Sequence, residues 1–565
     1  MTRDEIVTVF DSIADIMQIK GEISEKVKTY RNLAITLSYA LPDEIRPPFE
    51  QNNLPKIHGV GTSTIEKIAE LVDTGKCQYY EDLKASIPYG VLDMLSISGV
   101  GPSTAAKFYQ LGIDSPEALQ QAIETEKLRG VKGMGKKTEE KLKHGLEALF
   151  RHRQIRLMGY VLPTVESIVD ILRTSIPRIS IVGDLRRKTD TVRNAEIIVE
   201  CPDVTKLREL LVNIDLVEEL NDDWTDSGGS CKLAGNVEMK IRLVEKEDFG
   251  SSLIRFTGSE SHIAGLNRRA NELGLEQLEP KSYKGKSEQD IYTDLKLPFI
   301  VPELREDSGE IESAISGQLP ELIELSDIKG DLHIHSTWSD GHQSIEQMAE
   351  SAKNLGYEYV AFADHSISSK IANGLDIERI LNKMIEVREI NEKMQEIEIL
   401  MSAEVDILKD GSLDYPDSIL EKLDIVIASV HSGFNMDESA MTKRILCAIE
   451  NRFVHVIGHP TGRLLGRRDP YAVNMDAIID ASAENGKSLE INAYPDRLDL
   501  KDVHVHKARK KGVIITIDTD AHSISDLNFM KYGIYTARRG WLEKKDVLNT
   551  LPLDKLMKWL RRYAN

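Results

Sequence analysis

The sequence has no apolar run long enough to span a bilayer, and its opening residues, MTRDEIVTVFDSIADIMQIK, interrupt every apolar stretch with a charge. No secretory leader is legible, so a cytoplasmic location without a membrane partner is expected. Cysteine is scarce as well: Cys77, Cys201, Cys231 and Cys447 lie far apart and form no Cys-x-x-Cys pair. That spacing excludes a disulfide framework and a thiolate zinc site. Net positive charge is also missing. A formal charge of −20 is the wrong sign for gripping nucleic acid by bulk electrostatics, so any DNA contact has to be local. The remaining composition, 41% hydrophobic and 29% charged over 565 residues, is that of a globular chain of about three to five domains.

What is present divides the chain by pattern. Residues 1–150 show apolar spacing near 3.6 with tight glycine turns, which predicts short helices and no sheet. One turn recurs three times, as Ile57-His58-Gly59-Val60-Gly61, Ile97-Ser98-Gly99-Val100-Gly101 and Val131-Lys132-Gly133-Met134-Gly135, each followed by a helical run. From 155 to 245 short apolar strands such as Ile179–Val182, Ala195–Val199 and Val237–Leu243 predict a mixed α/β domain. Residues 246–300 return to helix and turn, and 301–328, with its prolines and charges, reads as an ordered linker. Strands and helices then alternate seven times: Asp331–His335, Tyr359–Asp364, Ile399–Asp406, Ile425–Val430, Val454–Ile457, Ser488–Ile491 and Val513–Ile517. That alternation predicts a closed or nearly closed parallel barrel.

Ten of the fourteen histidines fall in 326–565, several at the carboxyl ends of those strands, where barrel loops converge on one mouth. The ends read His333-Ile334-His335, Asp340, Asp364-His365, Glu404-Val405-Asp406, His431, His459 and Asp520-Ala521-His522. Any one histidine could be an ordinary core or surface residue; the set in register could not. Imidazole nitrogen and carboxylate oxygen without sulfur suit Zn²⁺, Mn²⁺ or Fe²⁺, and so many donors imply two or three ions. Arg463, Arg467 and Arg468 could hold a substrate phosphate by forked hydrogen bonds or form a solvated loop. His342, His455, His504 and His506 fit no strand end and are not expected to be ligands.

Gly330-Asp331-Leu332-His333-Ile334-His335-Ser336, with Ala363-Asp364-His365-Ser366, Gly458-His459-Pro460 and Asp520-Ala521-His522-Ser523, resembles the polymerase and histidinol phosphatase (PHP) domain. The resemblance implies a distorted seven-stranded barrel with a trinuclear site on His333, His335, Asp340, His365, Glu404, His431, His459, Asp520 and His522. Asp340, His365 and Arg463 are the catalytic candidates, and Mn²⁺ or Zn²⁺ the expected ions. The three glycine turns resemble helix-hairpin-helix motifs, which implies DNA-phosphate contacts through the backbone at Gly59, Gly61, Gly99, Gly101, Gly133 and Gly135.

Gly183-Asp184-Leu185-Arg186-Arg187 and Arg255-Phe256-Thr257-Gly258-Ser259 resemble the palm and thumb of family X DNA polymerases, and the domain order is that of the members carrying a PHP domain. The resemblance implies helical domains over 1–80 and 81–152, a palm over 153–245, a thumb over 246–300, the linker over 301–328 and the barrel over 329–565. The palm departs from the family pattern. Three carboxylates should hold two metal ions there, and their places fall to Asn194, Glu196 and Lys240, while Asp184 replaces the serine of the triphosphate turn. Little or no Mg²⁺ binding or templated synthesis is expected from such a palm. An alignment offset that used Glu238 would still leave Asn194 and Asp184 unexplained. Lys67 matches the lysine with which some members cleave abasic sites, although lysines in such helices are usually solvated.

The expectation is therefore a metal-dependent 3′-5′ exonuclease or 3′-end-processing phosphoesterase of DNA repair, with AP endonuclease action permitted by the resemblance and polymerase activity weak or lost, working on gapped, nicked, abasic or 3′-blocked DNA. A gap-filling polymerase with a proofreading barrel, a small-molecule phosphatase of the histidinol-phosphate type and a non-catalytic scaffold are the competing readings. No coiled-coil repeat suggests assembly, and a monomer is expected.

Overall fold

The computed structural model describes residues 3–563 except 42–44, 46–48, 50–59, 98, 126, 131–133, 154, 155, 202, 235 and 236. It consists of two compact units, Met1–Gln154 and Ile155–Asn565. Among the described residues no helix is long and apolar enough to cross a membrane.

The first unit is helical, as the 3.6 spacing predicts. Arg3–Ile19, Ser24–Ala40 and Thr62–Thr74 enclose one core around Phe10, Leu37, Ile68 and Leu71. A second core gathers Val91, Phe108, Leu119 and Leu142, and the first helix contributes Ile16 and Ile19 to it. Three helices, Thr62–Thr74, Pro102–Gln110 and Lys136–Arg153, start immediately after Gly61, Gly101 and Gly135, the last residues of the three glycine turns. Gly99 has a φ of +93°, where a side chain would be strained. Gly59 and Gly133 lie outside the described residues.

In the second unit β1 (Arg156–Leu157) pairs with β3 (Thr191–Val192) in a short ribbon. The strands β2 (Ile179–Val182), β4 (Ala195–Glu200), β5 (Val217–Leu220), β6 (Gly228–Leu233) and β7 (Val237–Val244) form a sheet in the order β2-β4-β7-β6-β5. Only β4 and β7 run parallel. Helices Phe249–Thr257, Glu260–Glu272 and Glu288–Asp294 follow. The stretch 301–328 does more than link: Leu304, Ile311 and Ala314 share a core with Ile254, Leu266 and Ile291. Two of its charges are buried in pairs. Arg305, fully buried, donates to Glu288 at 2.6 Å, and Glu310 meets His262 at 2.5 Å.

The barrel strands are β8 (Gly330–Ile334), β9 (Tyr359–Phe362), β10 (Glu398–Asp406), β11 (Ile425–Ser429), β12 (Val456–Ile457), β13 (Ser488–Asn492) and β14 (Ile515–Asp518). They lie side by side in chain order, all parallel and buried on both faces, which is why their sequences run apolar without alternating. First and last strands meet at the carboxyl end, where His335 N donates to Ala521 O at 2.8 Å and Asp520 N to His333 O at 2.9 Å. Lower down, carboxylates stitch the seam: Leu332 N donates to Asp518 Oδ1 at 2.9 Å and Thr519 Oγ1 to Asp331 Oδ2 at 2.6 Å. Leu556 and Leu560, from the helix Leu553–Leu560, join Leu332, Ile425 and Val456 in a core at the opposite end.

Candidate metal centre

The β8–β9 register slips between Asp331 and Ile334, an extra residue on β8. The bulge leaves Leu332 in the core while His333 and His335 both reach the barrel mouth. There the strand-end donors form three overlapping groups: His335, Asp340, His365 and His522; His333, His335 and Asp520; and His365, Glu404 and His431. Within each group the facing atoms lie within 4.8 Å of one another. His459 joins through Glu404, its Nε2 2.8 Å from Oε1. All nine donors singled out in the sequence are thus adjacent.

Several buried atoms of this cluster have no hydrogen-bond partner: His333 Nε2, both ring nitrogens of His335, Asp340 Oδ1, His365 Nδ1 and His459 Nδ1. Interiors rarely leave polar atoms so exposed to desolvation, each costing about 1–3 kcal/mol. Converging nitrogen and oxygen donors of this kind fit divalent cations.

The electrostatics follow from crowding opposite charges. Burial lowers the His333 pKa, but Glu490, Glu404 and Asp520 outweigh it and hold the imidazole well above its usual value. Burial and His522 push His335 down to about 4. Against burial, Glu404 and Asp406 raise His431 to about 9, and Asp340 and Asp520 do the same for His522. Glu404, which burial would raise, is held well below the carboxylate range by His431, His333 and His365.

Behind these donors lies a supporting layer, of which the sequence reading had named Asp406 alone. Glu490 lies 2.6 Å from His333 Nδ1 through one oxygen and accepts His459 N at 2.6 Å through the other. Asp406 lies 2.5 Å from His431 Nδ1. Engaging Nδ1 in this way fixes the ring and turns Nε2 toward the cluster. Asn492 Nδ2 donates to Asp520 Oδ2 at 2.9 Å, and Arg497 Nε lies 3.4 Å from the same oxygen. Glu490 did carry a signal: a carboxylate between Leu489 and Ile491 in a doubly buried strand requires a partner. Arg497 carried none, because it sits beyond a strand end with no spacing to mark it.

Arg463, a catalytic candidate in the sequence, is tied into the protein. It is buried, and each guanidinium nitrogen makes an internal contact: Nε donates to Arg497 O at 3.0 Å, Nη1 to Asp190 Oδ2 at 2.9 Å and Nη2 to Leu498 O. It fastens the 497–498 loop to the turn before β3, three of its five N–H donors being used in this way. Arg468 donates to Gly462 O at 2.9 Å and lies over the Phe434 ring, and Arg467 is exposed beside Asp496. His455 bonds Val426 N and Leu560 O, at the other end of the barrel.

In the sheet β2–β7, Glu196 pairs in register with Lys240. Asn194, in the amide orientation that satisfies both neighbours, accepts from Lys240 Nζ at 3.2 Å and donates to Arg193 O at 2.9 Å. Arg242 Nη2 lies 3.3 Å from Glu196 Oε2. Two cations therefore crowd the remaining carboxylate. In the turn Gly183–Arg186, Asp184 accepts from Arg187 at 2.6 Å, and Arg186 is clamped by Glu288 at 2.7 and 2.9 Å. Arg187 also donates to Glu306 at 2.9 Å, so both arginines are occupied by internal carboxylates.

In the first unit, Gly61 and Gly101 are N-caps without a side-chain cap, and a Cβ added at Gly61, Gly101 or Gly135 would meet nothing within 4 Å. The backbone there is open to close approach. Lys67 Nζ donates to Ser63 Oγ at 2.8 Å and stands 4.9 Å over the Tyr79 ring.

Family profiles match in three places: a helix-hairpin-helix domain over residues 1–77, a SAM-like helix-hairpin-helix tandem over 91–148 and a PHP domain over 331–494. The DNA polymerase/3′-5′ exonuclease PolX of Bacillus subtilis (strain 168) is 38% identical over 575 residues, covering 100% of both chains. Proteins named "probable phosphatase" from Thermoanaerobacter sp. (strain X514) and Caldanaerobacter subterraneus are each 30% identical over 243 residues, 41% of this chain and 94% and 90% of theirs. With a full-length relative of this kind, and with the helical, palm-like and barrel parts in the same order, the chain belongs to the family X DNA polymerases that carry a C-terminal PHP domain.

Proposed function

We propose that this protein is a metal-dependent 3′-5′ exonuclease and 3′-end phosphoesterase of DNA repair whose palm does not support templated synthesis. The observation that carries the reading is a contrast within one chain. The barrel keeps nine converging donors with unpaired buried nitrogens, whereas the palm sets Lys240 and Arg242 against its one remaining carboxylate, Glu196.

His333, His335, Asp340, His365, Glu404, His431, His459, Asp520 and His522 are the residues that would hold two to three ions, Mn²⁺ or Zn²⁺ or both. Bound together, such ions supply positive charge to the attacking and leaving oxygens of a displacement at phosphorus. The protein's own part is positioning. Glu490 and Asp406 fix imidazoles from behind, and Asn492 with Arg497 fixes Asp520. Asp340, His431 and His522 are the partly exposed members of the cluster, and the glycine turns at Gly61, Gly101 and Gly135 offer unobstructed N–H groups to DNA phosphates.

The same reading has the enzyme act as a monomer in the cytoplasm on gapped, nicked, abasic or 3′-blocked DNA. The full-length match to a DNA polymerase/3′-5′ exonuclease favours DNA over a small phosphate ester, since the phosphatase relatives reach only 41% of the chain. A lyase step at Lys67 belongs to the proposal as a second activity. Borohydride trapping on abasic DNA that persists in Lys67→Ala would remove it.

Incubation with 5′-labelled DNA bearing a 3′ hydroxyl or 3′ phosphate, with and without Mn²⁺, tests the main claim. Metal-dependent shortening or 3′-dephosphorylation is expected. No turnover of either substrate with any of Mn²⁺, Zn²⁺ or Mg²⁺ would overturn it.

A further inference from the structure

The loop that follows β9 is rooted at a candidate metal ligand at both ends. It leaves the barrel at His365-Ser366 and returns at Leu375, whose N–H donates to His365 O at 2.8 Å and which bridges Ser366. At its tip, in the single turn Lys370–Ala372, Ile371 is as exposed as it would be in an extended chain, and among the described residues no other large apolar side chain is so uncovered. Ile367, at the start of the loop, is exposed as well. Packing of the barrel gives no reason for isoleucine at that tip. From Ser366 to Leu375 the loop carries no carboxylate and one exposed cation, Lys370, in a chain whose net charge is −20. An apolar tip beside a positive charge suits a surface that meets DNA, where isoleucine is among the side chains that wedge against base faces.

The tip is held in place from several sides. Ser369 N donates to Ser366 O at 3.1 Å and Gly374 N to Ser369 O at 3.0 Å, and a Cβ at Gly374 would meet Ser366 O at 1.9 Å. Asn373 adopts a φ of +53° and donates through Nδ2 to Ser339 O at 3.1 Å, next to Asp340. Ser368 donates from N to Asp414 Oδ2 at 2.8 Å and from Oγ to Asp406, the carboxylate behind His431. The loop is thus tied to the candidate ligand His365 and to the immediate neighbours of two more, Asp340 and His431. Four residues separate Ile371 from Leu375, so its Cα lies within about 14 Å of the residue bonded to His365. That span is about four base steps along a DNA strand.

We propose that Ile371 is a strand-separating residue of the exonuclease, its side chain packing against the base face uncovered when the last nucleotide of a paired 3′ end leaves the duplex for the metal cluster. His333 and His335 are fully buried in the barrel mouth, so a terminal phosphodiester has to be drawn out of the duplex to meet them. Unpairing costs free energy, and an apolar side chain set against the exposed base recovers part of it. A single-stranded 3′ end has no such cost. Ile371 therefore sets the preference between paired and unpaired ends, and the chemistry at the cluster does not depend on it. The inference rests on the exonuclease reading.

The experiment uses the full-length protein saturated with Mn²⁺ and compares 3′ shortening of a recessed duplex with that of the same strand alone. It includes wild type, Ile371→Ser, Ile371→Leu and, as a control at an exposed isoleucine of the following helix, Ile385→Ser. Unpairing is read separately from the fluorescence of 2-aminopurine placed at the paired 3′ end, with a phosphorothioate terminal linkage to slow cleavage. Ile371→Ser should shorten the duplex roughly tenfold more slowly, the scale of one lost contact with a base, and the single strand within about twofold of wild type. Ile371→Leu should restore the duplex rate, Ile385→Ser should match wild type, and the fluorescence rise on binding should be lost in Ile371→Ser alone. An equal loss on both substrates, or no loss on either, would overturn the proposal. So would a wild type that is dimeric by light scattering beside a monomeric Ile371→Ser, since the tip would then join two copies of the chain. If wild type raises the fluorescence through Ile371 yet shortens neither substrate, the exonuclease reading fails and the assignment of Ile371 stands.

Discussion

Glu490 joins His333 and His459 from beneath the metal cluster, one oxygen 2.6 Å from the His333 ring and the other 2.6 Å from the His459 backbone nitrogen. Replacing it with glutamine keeps the size and removes the charge that fixes the His333 tautomer. Metal affinity in Glu490→Gln should fall about 10–100-fold with the fold retained, the usual effect of removing a carboxylate behind a metal-binding histidine. Titration of the metal-free protein with Mn²⁺ measures it, and wild-type affinity in the variant would show that His333 needs no such support.

Arg463→Ala should act on stability. It frees Asp190 and two buried carbonyls, a loss of about 3–5 kcal/mol for a broken buried pair. A clearly lowered thermal-unfolding midpoint for the second unit is expected. A variant with wild-type stability would mean that the contacts with Asp190 and the 497–498 loop contribute nothing.

What the sequence revealed and concealed follows from where each signal is local. The barrel strands were legible because a parallel strand buried on both faces is a short apolar run, as in Ile425–Ser429, and the donors that cluster at the mouth could be read from the residues at its end. Strands β5 and β6 were not, since Val217-Glu218-Glu219-Leu220 and Gly228-Gly229-Ser230 have neither alternation nor β-branched bulk. They form because Cys231 and Leu233 pack into the core with Met239. The prolines and charges of 301–328 read as a linker, and only the fold shows Glu288 waiting for Arg305 and His262 for Glu310. The surroundings of the arginines were hidden for the same reason. Arg463 follows His459 closely in sequence, but nothing local shows that Asp190 and the carbonyls of Arg497 and Leu498 engage it.

Proton release should accompany metal uptake. In the metal-free protein His431 and His522 stand at about 9, raised against burial by Glu404 with Asp406 and by Asp340 with Asp520. Their charged forms therefore stabilise the metal-free fold fully below about pH 6.5, the unfolded value, and this contribution is lost as pH rises through about 9. A bound cation requires neutral imidazoles, so apparent affinity should climb between those limits. Calorimetry at pH 7.5 in buffers of different ionisation enthalpy should count released protons; none released would contradict the assignment of these two histidines as ligands.

The palm can be challenged by reversal. Asp184→Ser, Asn194→Asp, Glu196→Asp and Lys240→Asp together should give primer extension detectable above wild type in Mn²⁺, while Lys240→Asp alone should not, because Asn194 still lacks a charge. Extension by the single variant would show that Lys240 by itself silences the site.

The most direct measurement is a 5′-labelled gapped duplex incubated with the protein and Mn²⁺, with and without dNTPs, beside a His333→Ala/His335→Ala variant. The account predicts metal-dependent shortening that the variant loses, and no lengthening by either protein. Lengthening with dNTPs, or shortening that survives in the variant, would contradict it.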